Sequence, residues 1–99
     1  MVKRIIWTRK AKDEWRRILS FWHEHTGNKR YSRKLNNKLK LTLKNIESNN
    51  LIGKKTLKKD IRIVICLYYL VFYKIEKERI IIITIFDSRR NPDDLKIKT

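Results

Sequence analysis

Residues 80–86 read Ile-Ile-Ile-Ile-Thr-Ile-Phe, and the run stops at Asp87-Ser88-Arg89-Arg90-Asn91-Pro92. A segment apolar at consecutive positions cannot keep one face in water. It predicts the central strand of a sheet, covered on both sides. Proline cannot donate to a ladder, so Pro92 reads as the strand's stop. The two arginines would therefore leave the core at the exit of a rigid element, where a fold can hold charges in a fixed position.

The rest of the chain supplies the cover. Residues 2–7 are short, apolar and β-branched, which predicts an opening strand. Thr8 is placed to cap a helix starting at Arg9, on which Ala11, Trp15, Ile18 and Trp22 fall on one stripe. Gly27 closes that helix in a left-handed conformation, and Asn28 can cap the next. Tyr31, Leu35, Leu39, Thr42 or Leu43, and Ile46 form a second stripe. Two helices joined so closely must lie antiparallel. Residues 48–59 read as a loop, broken by Asn49-Asn50 and Gly53. Strands are expected at 61–66, 69–76 and 80–86, with Lys77-Glu78 as a polar turn, followed by a polar tail anchored by Leu95 and Ile97. The expectation is one α+β domain over 1–99, in the order β-α-α-β-β-β. An antiparallel helix hairpin packs on one face of an antiparallel four-stranded sheet, and the other face is left open and basic.

Charge narrows the partners. There are 26 Lys+Arg against 10 Asp+Glu, a formal net charge of +16. Positions 29–62 alone hold twelve basic residues against Glu47 and Asp60. Such a surface selects nucleic acid, a ribosome or an acidic protein segment. No apolar stretch approaches membrane-spanning length and no secretory leader is legible, so a cytoplasmic protein with no membrane partner is expected. The single Cys66 forms no internal disulfide, and with only His23 and His25 beside it no common zinc set is complete. No cofactor or metal is expected.

Several stretches carry a family resemblance: Ala11-x-x-x-Trp15-x-x-Ile18, Asn49-Asn50-x-x-Gly53, Tyr69-Leu70-Val71-Phe72-Tyr73-Lys74-Ile75, and the ending Phe86-Asp87-Ser88-Arg89-Arg90-Asn91-Pro92-Asp93-Asp94-Leu95. Together they resemble the RelE/ParE superfamily, the toxins of type II toxin–antitoxin systems, associated with growth arrest and plasmid stabilisation. The resemblance implies one of two activities. RelE-like members cut mRNA on the ribosome, and ParE-like members inhibit DNA gyrase. It also implies an acidic antitoxin that wraps the toxin in a hetero-oligomer.

RNA cleavage needs a base for the 2′-hydroxyl, a cation for the phosphate and an acid for the leaving oxygen. Laid on the RelE-like pattern, Arg89 matches the last-strand arginine and Arg62 a basic strand position. Asp60 stands at another lysine position, Tyr69 where an arginine is usual, and Leu95 in place of a tail tyrosine. Lys58 and Tyr69 are the substitutes at hand. Arginine stays protonated and is a poor base. The set is incomplete, so the ParE-like branch is favoured. The alternatives are the mRNA endonuclease, a plain nucleic-acid-binding module and a degenerate toxin.

Lys54, Lys55, Lys58, Lys59, Arg62, Arg89 and Arg90 are the candidates for contacting the target or nucleic acid. Trp22, Tyr69 and Arg89 are the candidates for holding the antitoxin. Each has a plainer reading. Arg89 and Arg90 can pair with Asp87, Asp93 and Asp94, and Tyr68, Tyr69 and Tyr73 can be packing rather than base-stacking residues.

Overall fold

The structure, a computed structural model, describes residues 3–90. Pro92 and the expected anchors Leu95 and Ile97 lie outside them, as do Asp93 and Asp94. The elements are β1 (Arg4–Trp7), α1 (Arg9–Thr26), α2 (Arg30–Ser48), β2 (Lys54–Lys55), β3 (Ile61–Cys66), β4 (Tyr69–Ile75) and β5 (Arg79–Asp87). The two-layer α+β architecture is as expected, but the sheet has five strands and is mixed. Its order is β1-β5-β4-β3-β2. β1 runs parallel to β5, pairing Arg4 with Arg79 through Trp7 with Ile82. Strand direction here is set by where the helix hairpin returns the chain, which an alternation pattern does not encode. The extra strand is the lysine pair Lys54–Lys55, inside the expected loop, paired antiparallel to Arg62 and Ile63.

The isoleucine run is central, flanked by β1 and β4. Tyr69, Val71, Tyr73, Ile80, Ile82 and Ile85 meet Ala11 and Trp15 of α1 and Leu35, Leu39 and Ile46 of α2 in one core. The opposite face is apolar rather than basic. Ile61, Phe72, Ile83 and Phe86 form a second buried cluster there, with Ile63, Leu70 and Ile81 against it. Sequestering each such side chain from water contributes roughly 1.5–3 kcal/mol, so neither face is surplus.

Caps set where the helices begin and end. Thr8 caps α1, its hydroxyl accepting from the Ala11 amide at 3.1 Å. The same hydroxyl lies 3.1 and 3.0 Å from the carbonyls of Ile82 and Ile83, so the cap also fastens α1 to β5. Gly27 ends α1 at φ 74, with open space where a Cβ would be; the requirement is conformational. Asn28 sits one residue before the cap position of α2, which is Lys29. Its Oδ1 accepts from the Arg30 amide at 2.8 Å.

Arg62 is turned away from the expected open face. It pairs with Tyr73 of the helix-side core. Its guanidinium donates to the carbonyls of Leu51 (3.2 Å) and Gly53 (2.8 Å). The Tyr73 hydroxyl accepts from the Gly53 amide at 2.9 Å and donates to the Asn50 carbonyl at 2.7 Å. A Cβ at Gly53 would meet the Tyr73 hydroxyl at 2.7 Å and Arg62 Cβ at 3.0 Å, so glycine is required here for space. The Asn49–Gly53 turn is thus pinned from beneath by two side chains.

Tyr73→Phe removes the one hydroxyl that serves both the Gly53 amide and the Asn50 carbonyl. It should cost about 1–3 kcal/mol and lower Tm by about 4–8 °C per kcal/mol in a domain of this size. Thermal denaturation by circular dichroism checks this, and an unchanged Tm would contradict the pinning role.

Candidate functional site

β5 delivers Asp87 and then Arg89 at the end of the sheet next to α1. Asp87 binds its neighbour three ways: Arg89 Nε to Oδ1 at 3.0 Å, Arg89 Nη2 to Oδ2 at 2.8 Å, and the Arg89 amide to Oδ1 at 2.9 Å. A guanidinium gripped through two nitrogens is held in orientation as well as position. Its carbon lies 4.8 Å from the centre of the Tyr68 ring and 5.7 Å from that of Trp22. Arg89 therefore lies between two aromatic rings, with about half of its side chain in water.

The aromatics are fixed in turn. Trp22 Nε1 donates to the Tyr69 hydroxyl at 2.6 Å, across the interface between α1 and β4. The Trp22 ring packs against Tyr31 at 4.7 Å and edge-on to Phe21 at 5.2 Å. Tyr69 meets Trp15 edge-to-face at 6.1 Å. Thus Trp22, Tyr69 and Arg89, three residues spread over 67 positions of sequence, form one cluster. Beside it runs a groove of about 260 Å³ lined by Glu14, Arg17, Ile18, Phe21, Tyr69, Ile85, Asp87, Arg89 and Arg90. Phe21, 52% exposed, forms part of its apolar wall. Arg90 covers the ring of Phe86 at 5.4 Å.

Sequence reasoning passed over Glu14 and Phe21. Glu14 Oε1 accepts from the Thr84 hydroxyl at 2.7 Å and the Ile85 amide at 3.1 Å. It takes the place of a neighbouring strand where β1 has ended. No local pattern signals this, because an acid on a helix face reads as solvated.

The electrostatics disfavour moving a proton at this cluster. The Arg89 guanidinium holds the Asp87 carboxyl below the usual carboxylate range, and Asp87 raises Arg89 in return. Burial pushes the Tyr69 phenol up, opposed by the Trp22 hydrogen bond and the Arg89 charge. Tyr69 is then a neutral phenol at physiological pH and no base.

The expected target-binding residues separate into two groups. Asp87 pairs with Tyr69 and Arg62 with Tyr73, four residues apart on β4. That is about 13 Å along the strand, with β3 and β5 lying about 10 Å apart across it. Arg62 reaches outward to Leu51 and Gly53. Arg62 and Arg89 therefore do not converge on one phosphate. Lys55, Lys58 and Lys59 line a separate hollow of about 360 Å³ with Arg62, and Lys54 lies beside them on β2. Among the described residues, no group of three or more His, Cys, Asp or Glu side chains is placed to hold a metal ion. No helix among them is long and apolar enough to cross a membrane.

A family model described as the ParE toxin of the type II toxin–antitoxin system parDE matches residues 5–92. A solved structure titled "Chromosomal ParDE TA system from P. aeruginosa" contains a chain of similar fold. It superposes with a TM-score of 0.74 at 17% identity, covering 87% of this chain and 96% of that one. No curated protein matches in sequence.

The Asp87–Arg89 pair has a titration signature. A carboxylate with a lowered folded pKa adds stability above its unfolded value, near 3.9, and that contribution is lost as pH falls through the lower folded value. In an NMR titration the Asp87 carboxyl should therefore titrate below an ordinary aspartate, and Arg89→Ala should return it to the usual range. Identical titrations in the two proteins would contradict the pairing.

Proposed function

The chain belongs to the ParE toxin family of type II toxin–antitoxin systems, and from that membership we propose that it arrests growth in the cytoplasm by binding DNA gyrase. The observation that carries the reading is the separation of Arg62 from Arg89. An RNA-cutting centre needs a cation, a base and an acid around one phosphate. Here the Arg62 guanidinium is bonded to backbone carbonyls at the far end of the sheet. Near Arg89 stand a neutral tyrosine and an ion-paired aspartate. What remains is a binding surface, an arginine oriented by Asp87 against aromatic rings, beside a groove with one apolar wall and charged residues along it. Arginine and aromatic residues of this kind dominate binding energy at protein interfaces.

The same cluster suits the antitoxin. An acidic, partly disordered segment can lay a carboxylate on Arg89 and apolar side chains along Ile18 and Phe21. Covering Arg89 would silence the toxin and neutralise part of its charge in one contact.

The purified chain, in stoichiometric excess, should abolish ATP-dependent supercoiling by gyrase, and Arg89→Ala should raise the concentration required by about tenfold or more. Normal supercoiling at that excess, together with cleaved mRNA in a translation reaction, would overturn the reading in favour of the ribosome.

A further inference from the structure

The hairpin joining β2 to β3 takes no part in the Arg89 site, and its composition needs an explanation. Residues 54–59 read Lys-Lys-Thr-Leu-Lys-Lys. All four lysines are exposed, and Leu57 at the tip is 108% exposed, further into solvent than in a free reference peptide. Lysines on a two-residue edge strand have a plain role, since they keep the sheet edge from pairing with another chain. That role does not account for Leu57. A fully exposed leucine at a loop tip lowers solubility and contributes nothing to the core, and a solubility device would place a polar residue there.

The hairpin is also more rigid than such a tip requires. The Thr56 hydroxyl accepts from the Lys58 amide at 3.1 Å and lies 2.9 Å from the Ile61 carbonyl. The Ile61 amide returns to the Lys58 carbonyl at 3.3 Å. Asp60 adopts a left-handed conformation at φ 64, and its carbonyl accepts from the Ile75 amide at 2.8 Å, tying the loop to the end of β4. On the other side Arg62 and Tyr73 clamp the Leu51–Gly53 segment. A loop ordered before binding loses little conformational entropy when it binds.

We propose that this hairpin is a DNA-gripping arm. Lys54, Lys55, Lys58 and Lys59 lie against the phosphates of a duplex, and Leu57 packs onto sugar and base edges within a groove. A two-stranded ribbon is of a size to enter the major groove, where an apolar side chain can contact the thymine methyl group. Charge complementarity sets the class of partner: four cations against one acid, Asp60, on a chain of net charge +16. A lipid surface is less well matched, because the tip offers a single leucine rather than the broad apolar face by which a folded element lies in a membrane surface. The proposal does not rest on gyrase inhibition, since it concerns DNA alone.

The test is fluorescence anisotropy of a short labelled DNA duplex titrated with the full chain over a salt series. A variant with Lys54, Lys55, Lys58 and Lys59 all changed to Ala is compared with one in which Lys34, Lys38, Lys40 and Lys44 of α2 are changed, an equal loss of charge. The hairpin variant should lower the slope of log affinity against log salt by about 3–4, and the α2 variant by less than about 1. Leu57→Ser, which leaves the charge alone, should weaken binding by about tenfold. Equal slope losses in the two lysine variants would show general charge attraction and overturn the proposal. So would unchanged affinity in Leu57→Ser, or stronger hairpin-dependent binding to anionic vesicles or to RNA than to the duplex. Melting temperatures of all variants, measured alongside, separate loss of contact from loss of fold.

Discussion

β5 has to be kept from water on both faces and along both edges, and each neighbouring element is placed by that need. β4 pairs with it on one side for its whole length, with a register shift opposite Phe72 and Tyr73. On the other side β1 pairs only as far as Ile82, and there the chain turns into α1. From that point side chains replace a strand. Thr8 takes the carbonyls of Ile82 and Ile83, and Glu14 takes the amide of Ile85 and the hydroxyl of Thr84. A buried backbone group left without a partner costs about as much as a lost hydrogen bond. Thr8 and Glu14 therefore let the strand run on beyond β1 to deliver Asp87 and Arg89 beside Trp22. The Arg89 site is a consequence of how the edge of β5 is sealed.

The second consequence is a division of labour. One end of the sheet carries Arg89, oriented by Asp87 and lodged between Tyr68 and Trp22. The other carries Arg62, whose charge is spent on the carbonyls of the Asn49–Gly53 turn. In sequence the two look alike, each an arginine close to a strand terminus with charged residues nearby. In the fold one is oriented by a carboxylate beside aromatic rings, half in water, and the other braces a loop. The difference follows from what lies opposite each. Arg62 faces the carbonyls of Leu51 and Gly53, and Arg89 faces the Asp87 carboxylate, aromatic rings and solvent.

The parts legible in sequence were those governed by local chemistry. The both-sided apolarity of residues 80–86 announced the central strand. Thr8 before an amphipathic stripe marked a helix start, and Gly27 a helix end. Trp22, Tyr69 and Arg89, named together as candidate antitoxin contacts, lie together in the fold, a proximity that local chemistry alone does not dictate. The parts not legible depend on what arrives from a distance. Strand direction in β1 is decided by the helix hairpin. β2 has no alternation of its own and exists because Gly53 lets the backbone lie on Tyr73 and Arg62. Glu14 reads as one more surface acid until β5 lies beneath it. The face expected to be open and basic is apolar, because β3 to β5 carry isoleucine and phenylalanine on both sides.

The two arginines belong to separate, locally acting structures. Hydrogen exchange of the folded chain, read residue by residue, tests this directly. Arg62→Ala should speed exchange at the Gly53 and Ile61 amides and leave the Trp22 indole and the Arg89 amide as they are. Arg89→Ala should leave the Gly53 and Ile61 amides protected. If Arg62→Ala left the Gly53 amide fully protected, or if Arg89→Ala loosened the Asn49–Gly53 turn, the division between a bracing arginine and a presenting one would be wrong.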